Sequence, residues 1–263
     1  MSEAAYTPQE IMTIAAARRL KNGTVCFVGI GLPSAAANLA RITHAPGVVL
    51  IYESGTIGAK PDVLPLSIGD GELAETADTI VSVPEIFRYW LQGGRVDVGF
   101  LGAAQIDKFA QLNTTFIAGT YESPRVRLPG AGGAPEIATS AKEVTIILKQ
   151  SKRTFVEKLD FVTSAGFVDS PQGHGKPTVR GRGPTTVITD LGILNSDPGT
   201  RELVLTALHP AVQLEQVREA TGWNLKVAST VETTPPPTPG ELAALRDLHA
   251  RTAAAHGSEA SGE

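Results

Sequence analysis

Residues 48–61 read VVLIYESGTIGAKP. Five apolar or aromatic residues, Val48 to Tyr52, run straight into one acid, Glu53. An uninterrupted apolar run of that length, bounded by turn-forming residues, reads as a strand buried on both faces, as in a parallel sheet. The twelve residues after the acid, SGTIGAKPDVLP, hold two Gly and two Pro and do not support a helix. The strand therefore carries a carboxylate to its end and passes it to a non-helical run.

Working outward, the same alternation of buried strands and helices recurs. Upstream, Thr7, Pro8 and Glu10 supply an N-cap, an N1 proline and the acid of a capping box for a helix carrying IMTIAAARRL, closed by Gly23. TVCFVGI reads as a strand and PSAAANLARI as a helix. Downstream, DTIVSV is expected as a strand, PEIFRYWLQ as a helix ended by Gly93 and Gly94, and VDVGFLGA as a strand. LNTTFIAG and TYESPRVRLPG read as strands joined by a turn, AGGAPEIATSA as a Gly-rich turn with a short helix, and EVTIILK and KLDFVTSAG as strands. TTVITDLGIL and ELVLTALH suggest a late hairpin, and LEQVREAT a helix. The pattern predicts an α/β fold: an open, largely parallel sheet flanked by helices, with added β-hairpins. Residues 1–232 are expected to form the main domain. Residues 233–256 form a Pro-rich linker and C-terminal helix, and 257–263 a disordered tail. Residues 167–184, rich in Gly, Pro and basic residues, are expected to be a mobile surface loop.

A chain of 263 residues with 42% hydrophobic and 19% charged residues is ample for a buried core. A net charge of −4 without a basic stripe argues against nucleic acid as a partner. No stretch approaches the apolar length of a membrane span, and MSEAAYTPQE lacks the features of a signal peptide. Cys26 reads as a small buried hydrophobe, and one cysteine allows no internal disulfide. A cytoplasmic protein is expected.

Three chemistries fit poorly. Gly29, Gly31 and Ser34 in VGIGLPSAA nearly match G-x-G-x-x-G, with Glu53 near the position of a ribose-binding acid. The third glycine is missing, however, and no crossover helix follows Glu53. The five histidines, His44, His174, His209, His249 and His256, show no metal-ligand spacing. There is no G-x-S-x-G. What remains is Glu53 with two Gly-rich turns, GFLGAAQ (99–105) and PGAGGAPE (129–136). All three belong at carboxyl ends of strands, where open α/β sheets bind ligands. Gly102 and the 130–134 turn, with no Cβ in the way, would present backbone N–H groups to an oxyanion. A carboxylate beside such donors can attack an activated acyl group.

The chain resembles the β subunits of family I CoA-transferases, in the glutaconate CoA-transferase branch with the NagB/RpiA-like fold. The resemblance rests on E-S-G (Glu53, Ser54, Gly55), GIGLP (29–33), LPLSIGD (64–70), GAAQID (102–107), LNTT (112–115) and PGAGGAPEIA (129–138). KRTFVEKLDFVTSAG (152–166), VITDLGIL (187–194) and ATGW (220–223) extend it over nearly the whole chain. AAARRLKNGTVCFVGIGLPS and ARTAAAHG carry a finer likeness to members acting on 3-oxoadipate.

The resemblance implies that Glu53 is the catalytic nucleophile and carries CoA as a glutamyl thioester. It implies substrate, CoA or oxyanion contacts at Ser54, Gly55, Gly102, Ala103, Gln105, Gly130, Gly132, Gly133 and Ala134. Succinyl-CoA and 3-oxoadipate would be the substrates, in aromatic-compound catabolism. No metal or prosthetic group would be needed, since the CoA thioester is a substrate. The partner would be a CoA-transferase α subunit in an α2β2 assembly. The small residues after Glu53 would leave room for the acyl-CoA. Three alternatives stay open: an acyl-CoA hydrolase on the same scaffold, a transferase for another dicarboxylic or 3-oxo acid, and a nucleotide-binding module using GIGLP.

Overall fold

The computed structural model describes residues 6–166, 181 and 183–257. Helix α1 (Pro8–Ala17) is followed by β1 (Val25–Val28), α2 (Leu32–Ile42) and β2 (Val49–Ile51). Short strands β3 (Thr56–Ile57) and β4 (Thr79–Ile80) enclose α3 (Gly71–Glu75). Helix α4 (Val83–Glu85) runs into a π-helical segment, Ile86–Leu91, before β5 (Val98–Leu101). Strands β6 (Gln105–Ile106), β7 (Leu112–Asn113), β8 (Phe116–Gly119) and β9 (Pro124–Arg127) precede α5 (Ala134–Ser140). Then come β10 (Glu143–Ile147), β11 (Pro184–Ile188), β12 (Gly192–Ser196), β13 (Leu203–Leu208), α6 (Leu214–Glu219), β14 (Lys226–Thr233) and α7 (Pro239–His256).

Ten of these strands form one sheet, ordered β14-β13-β12-β11-β10-β5-β1-β2-β3-β4. The centre, β11-β10-β5-β1-β2, is parallel throughout. Side chains alternate across it, which sorts the core into two layers. Cys26, Val28, Leu50 and Tyr52 join α1, α2 and α7 on one face. Phe27, Ile51, Leu101 and Ile146 join the π-helical segment, α5 and α6 on the other. The expected open, largely parallel sheet covered on both faces is thus what forms. Strand β2 lies on one side of β1 and β5 on the other, so the chain reverses its direction across the sheet between β1 and β5.

Local details differ from the sequence reading in identifiable ways. The capping box at Thr7 forms, with Glu10 N–H donating to Thr7 Oγ1 at 3.1 Å and Thr7 N–H to Glu10 Oε2 at 2.7 Å. The helix nevertheless ends at Ala17, before the expected Gly23. DTIVSV shortens to the exposed two-residue edge strand β4. PEIFRYWLQ is not a plain helix: Gln92 N–H reaches back to Phe87 O and Arg95 N–H to Trp90 O, five residues each. KLDFVTSAG forms no strand, only an isolated bridge from Ser164 to Leu112. The late hairpin is a three-strand meander, β11-β12-β13. Strand β14 had no expected counterpart and reaches Thr233, the first residue of TTPPPTP. Helix α7, capped by Thr238, packs Leu242 and Leu245 into the core. Of the expected mobile loop 167–184, residues 167–180 and 182 lie outside the described residues, as does 258–263 of the tail.

Behind the sheet's antiparallel half, buried His209 ties three segments together. Its Nδ1 lies 2.7 Å from Thr234 Oγ1 and its Nε2 2.8 Å from Thr189 O. Burial lowers its pKa below the usual 6.5, against a smaller opposing effect of the Thr189 carbonyl. Below about pH 6.5 the unfolded chain therefore takes up this proton before the folded chain does. Stability from His209 is complete above that pH and is lost as pH falls toward the lower folded value. Thermal melts between pH 7.5 and 5.5 should show Tm falling with acidification, and His209→Gln should flatten that slope. An unchanged slope in the variant would remove His209 as the cause.

Candidate active site

Beyond Ile51 the chain leaves β2 through a tight turn. Gly55 N–H donates to Tyr52 O at 3.0 Å, Tyr52 N–H to Thr56 O at 3.1 Å, and β3 returns antiparallel to β2. Gly55 has φ +97°, and a Cβ there would overlap the Val81 carbonyl oxygen. Val81 N–H donates to Gly55 O at 2.9 Å. At Gly58 a Cβ would overlap the Asp78 carboxylate. These two glycines are therefore small because β4 and the residues flanking it lie against them; they do not open space for a ligand, which corrects that part of the sequence reading.

Tyr52 and Glu53 point to opposite faces. The Tyr52 ring is fully buried, and its hydroxyl lies 3.4 Å from Ser34 Oγ and 3.3 Å from Asn38 Nδ2 on α2. Half-buried Glu53 turns toward the Gly-rich turn before α5. A Cβ on Gly132 would sit 3.5 Å from Glu53 Oε1. One on Gly133 would overlap Oε1 and lie 2.6 Å from Phe87 Cζ. The structure thus brings together Glu53, Gly132 and Gly133, separated by some eighty residues in sequence. Among the described residues the Glu53 carboxylate makes no hydrogen bond.

The turn itself sorts its members. Gly130 N–H donates to Thr114 O at 2.8 Å, and Gly130 O accepts from Thr114 Oγ1 at 2.7 Å. Ala134 N–H donates to Ala131 O at 3.0 Å. Gly130 and Ala134 therefore spend their N–H groups inside the turn and offer none to a ligand. The N–H groups of Gly132 and Gly133 donate to no described residue. These two remain as free donors beside the carboxylate.

The other sequence candidates divide. Gly102 and Ala103 follow β5 at the carboxyl edge of the sheet, with N–H groups that donate to no described residue. Buried Gln105 is committed elsewhere: Nε2 donates to Asp160 Oδ2 at 2.8 Å, and Oε1 accepts from Asn113 Nδ2 at 2.8 Å. Its side chain braces the β6–β7 region. Ser54 Oγ and Thr56 Oγ1, either side of Gly55, are buried without a hydrogen-bond partner among the described residues. A residue missed by the sequence reading is Phe87. It sits in the π-helical segment, packs on Phe27 with ring centroids 5.7 Å apart, and walls the Glu53–Gly133 contact. Such segments often occur at functional sites, but PEIFRYWLQ has ordinary helical composition and gave no sign of it.

A carboxylate free of internal hydrogen bonds, next to two unpaired backbone donors, can attack a carbonyl carbon while the donors receive the oxyanion. Among the described residues no group of His, Cys, Asp and Glu is arranged to hold a metal ion. No helix of the described residues is long and apolar enough to cross a membrane.

Comparison with known proteins gives a consistent picture. Residues 9–220 match the family described as Coenzyme A transferase. Over 255 residues the chain is 66% identical to a 3-oxoadipate CoA-transferase subunit, the B-type chain, of Pseudomonas knackmussii, covering 97% of this chain and 98% of that protein. The crystal structure of glutaconate coenzyme A-transferase from Acidaminococcus fermentans superposes with a TM-score of 0.82 at 34% identity, covering 92% of this chain and 94% of that one. The decarboxylase AibA/AibB superposes with a TM-score of 0.78 at 27% identity and 92% coverage of this chain. One fold thus carries different chemistries, and the reaction must be argued from the site.

Proposed function

Since the chain belongs to the coenzyme A transferase family, we propose that it is the B-type subunit of an enzyme moving CoA from succinyl-CoA to 3-oxoadipate, with Glu53 as nucleophile. The observation that carries this reading is the Glu53 carboxylate lying against Gly132 and Gly133, whose N–H groups donate to no described residue. The high identity to a 3-oxoadipate CoA-transferase subunit supports the choice of acid. The same relative's naming as a subunit supports a separate partner chain, an A-type subunit; two copies of each are proposed.

The proposed steps balance without an added cofactor. Glu53 attacks the thioester carbonyl of succinyl-CoA, and the C–S bond breaks to leave a succinyl-glutamyl anhydride and CoA thiolate. The thiolate attacks the glutamyl carbonyl, succinate departs, and Glu53 carries CoA as a thioester. The carboxylate of 3-oxoadipate then attacks that thioester, releasing the thiolate and forming a second anhydride. The thiolate attacks the 3-oxoadipyl carbonyl, giving 3-oxoadipyl-CoA and free Glu53. In this proposal the 132–133 donors would receive each tetrahedral oxyanion at the glutamyl carbon; losing one such donor typically costs about 3 kcal/mol in the transition state.

The test is co-expression with the partner chain and incubation with succinyl-CoA and a panel of dicarboxylic and 3-oxo acids. The expected product is 3-oxoadipyl-CoA formed in step with succinate. Free CoA without a new acyl-CoA would instead identify a hydrolase. The isolated chain is expected to turn over at a small fraction of the complex's rate, because among the described residues no acid or base hydrogen-bonds or pairs with Glu53; full activity of the chain alone would contradict the two-subunit reading.

A further inference from the structure

The π-helical segment Ile86–Leu91 gives Phe87 its direction. In an α-helix Ile86 and Leu91, five residues apart, would project about 140° from each other. Here both are fully buried. The wider turn, in which Gln92 N–H donates to Phe87 O at 2.8 Å, brings them onto one face of the segment. Half-buried Phe87 stands beside them and reaches the candidate active site.

Three contacts fix its ring. Phe27, fully buried on β1, packs against it with ring centroids 5.7 Å apart. Phe27 is itself paired in register with Ile51 of β2, the strand that leads to Glu53. Gln92 Nε2 donates to Glu136 Oε1 at 2.9 Å, which ties the segment to α5, the helix that begins directly after Gly133. At Gly133 a Cβ would lie 2.6 Å from Phe87 Cζ and 2.8 Å from Cε1, and would overlap Glu53 Oε1. The ring edge and the carboxylate oxygen thus share the space left by one missing side chain. With φ −86° and ψ −1°, the backbone of residue 133 does not itself call for glycine. The carboxylate has no hydrogen bond among the described residues to hold it there. The edge of an aromatic ring, by contrast, carries partial positive charge.

We propose that Phe87 is a positioning residue whose ring edge holds the Glu53 carboxylate against the Gly132–Gly133 turn, on the side of the oxyanion donors. The proposal rests on Glu53 being the nucleophile of a CoA-transferase. The rotatable bonds of a glutamate side chain would otherwise let the carboxylate leave the turn, with a gain in entropy. A rigid ring on one side and the turn on the other leave it a narrow slot. The ring takes no part in bond making. Its removal should therefore lower kcat and leave the binding of succinyl-CoA nearly unchanged.

Kinetics and structure of the complex with the partner chain test this together. Phe87→Leu and Phe87→Met keep apolar bulk but have no rigid edge. Both should lower kcat for CoA transfer about tenfold or more. KM for succinyl-CoA should stay within about twofold of wild type, and both variants should melt above the assay temperature. In a double-mutant cycle with Gly133→Ala the losses should not multiply, because both changes act through the position of one oxygen. A crystal structure of the Phe87→Leu complex should show Glu53 Oε1 withdrawn from Gly133. The proposal fails if kcat of both variants stays within about twofold of wild type, or if KM rises in place of a fall in kcat. It also fails if the losses multiply, or if the carboxylate keeps its place in the variant structure. Failure of the nucleophile reading is separate: Glu53→Gln would then transfer CoA at the wild-type rate, and a withdrawn carboxylate in Phe87→Leu would still establish what Phe87 does.

Discussion

Glu53→Gln should abolish CoA transfer while leaving the chain folded. The substitution keeps the side chain's size and removes its nucleophilic oxygen. Because the Glu53 carboxylate makes no hydrogen bond among the described residues, the change should alter stability by no more than about 0.5 kcal/mol. Turnover should fall by more than about a thousandfold, the scale of losing a covalent nucleophile. Thermal melts establish the first half of this expectation, and acyl-CoA product assays of the complex establish the second. A Gln variant that transfers CoA at the wild-type rate would assign Glu53 a steering role only.

Gly133→Ala should cost about a hundredfold in kcat with little loss of stability. Gly133 has φ −86° and ψ −1°, a conformation open to any L residue, so the backbone is not strained by the change. The added methyl overlaps Glu53 Oε1 and crowds the Phe87 ring. Both are ends of side chains that can yield, so the fold survives, but the carboxylate is displaced. A misplacement of about 1 Å is enough for a hundredfold effect. The N–H donor of residue 133 is kept, so this variant reads the carboxylate's position and not the loss of a hydrogen bond. Gly132→Ala differs: at φ +48° it forces a left-handed backbone costing about 1 kcal/mol, and should loosen the turn as well. Wild-type kcat in Gly133→Ala would mean that Glu53 does not react from where it lies against this turn.

Where sequence and structure agree, the signal was local and strong. The Thr7 capping box, the apolar strands β1, β2, β5 and β10, and the acid at the end of β2 could all be read from neighbours in the chain. Glycines after strands pointed to the 130–134 turn, and the structure places two of its residues on Glu53. Which two could not be read, because Thr114 and Ala131 take up the N–H groups of Gly130 and Ala134 through contacts decided by folding. Gln105 looked available beside Gly102, yet tertiary structure surrounds it with Asn113 and Asp160. Strand β3, two residues long, is too short to show a period. Strand β14 carries few buried side chains, so its pattern lacked the apolar alternation that marks a strand. The glycines after Glu53 illustrate the same limit in reverse: the resemblance implied open space there, and the Val81 carbonyl and the Asp78 carboxylate fill it.

The most direct test of the mechanism is to trap Glu53 while it carries CoA. In the proposed mechanism the donor acid leaves before the acceptor arrives, so the enzyme would hold CoA covalently between the two half-reactions, and the kinetics would be ping-pong. The complex would be incubated with succinyl-CoA and no acceptor, treated with borohydride, digested and analysed by peptide mass. Reduction of a glutamyl thioester turns that side chain into an alcohol, and the predicted result is this change on the peptide containing Glu53, absent in Glu53→Gln. A label on any other residue, or none in an enzyme that is turning over, would contradict the mechanism.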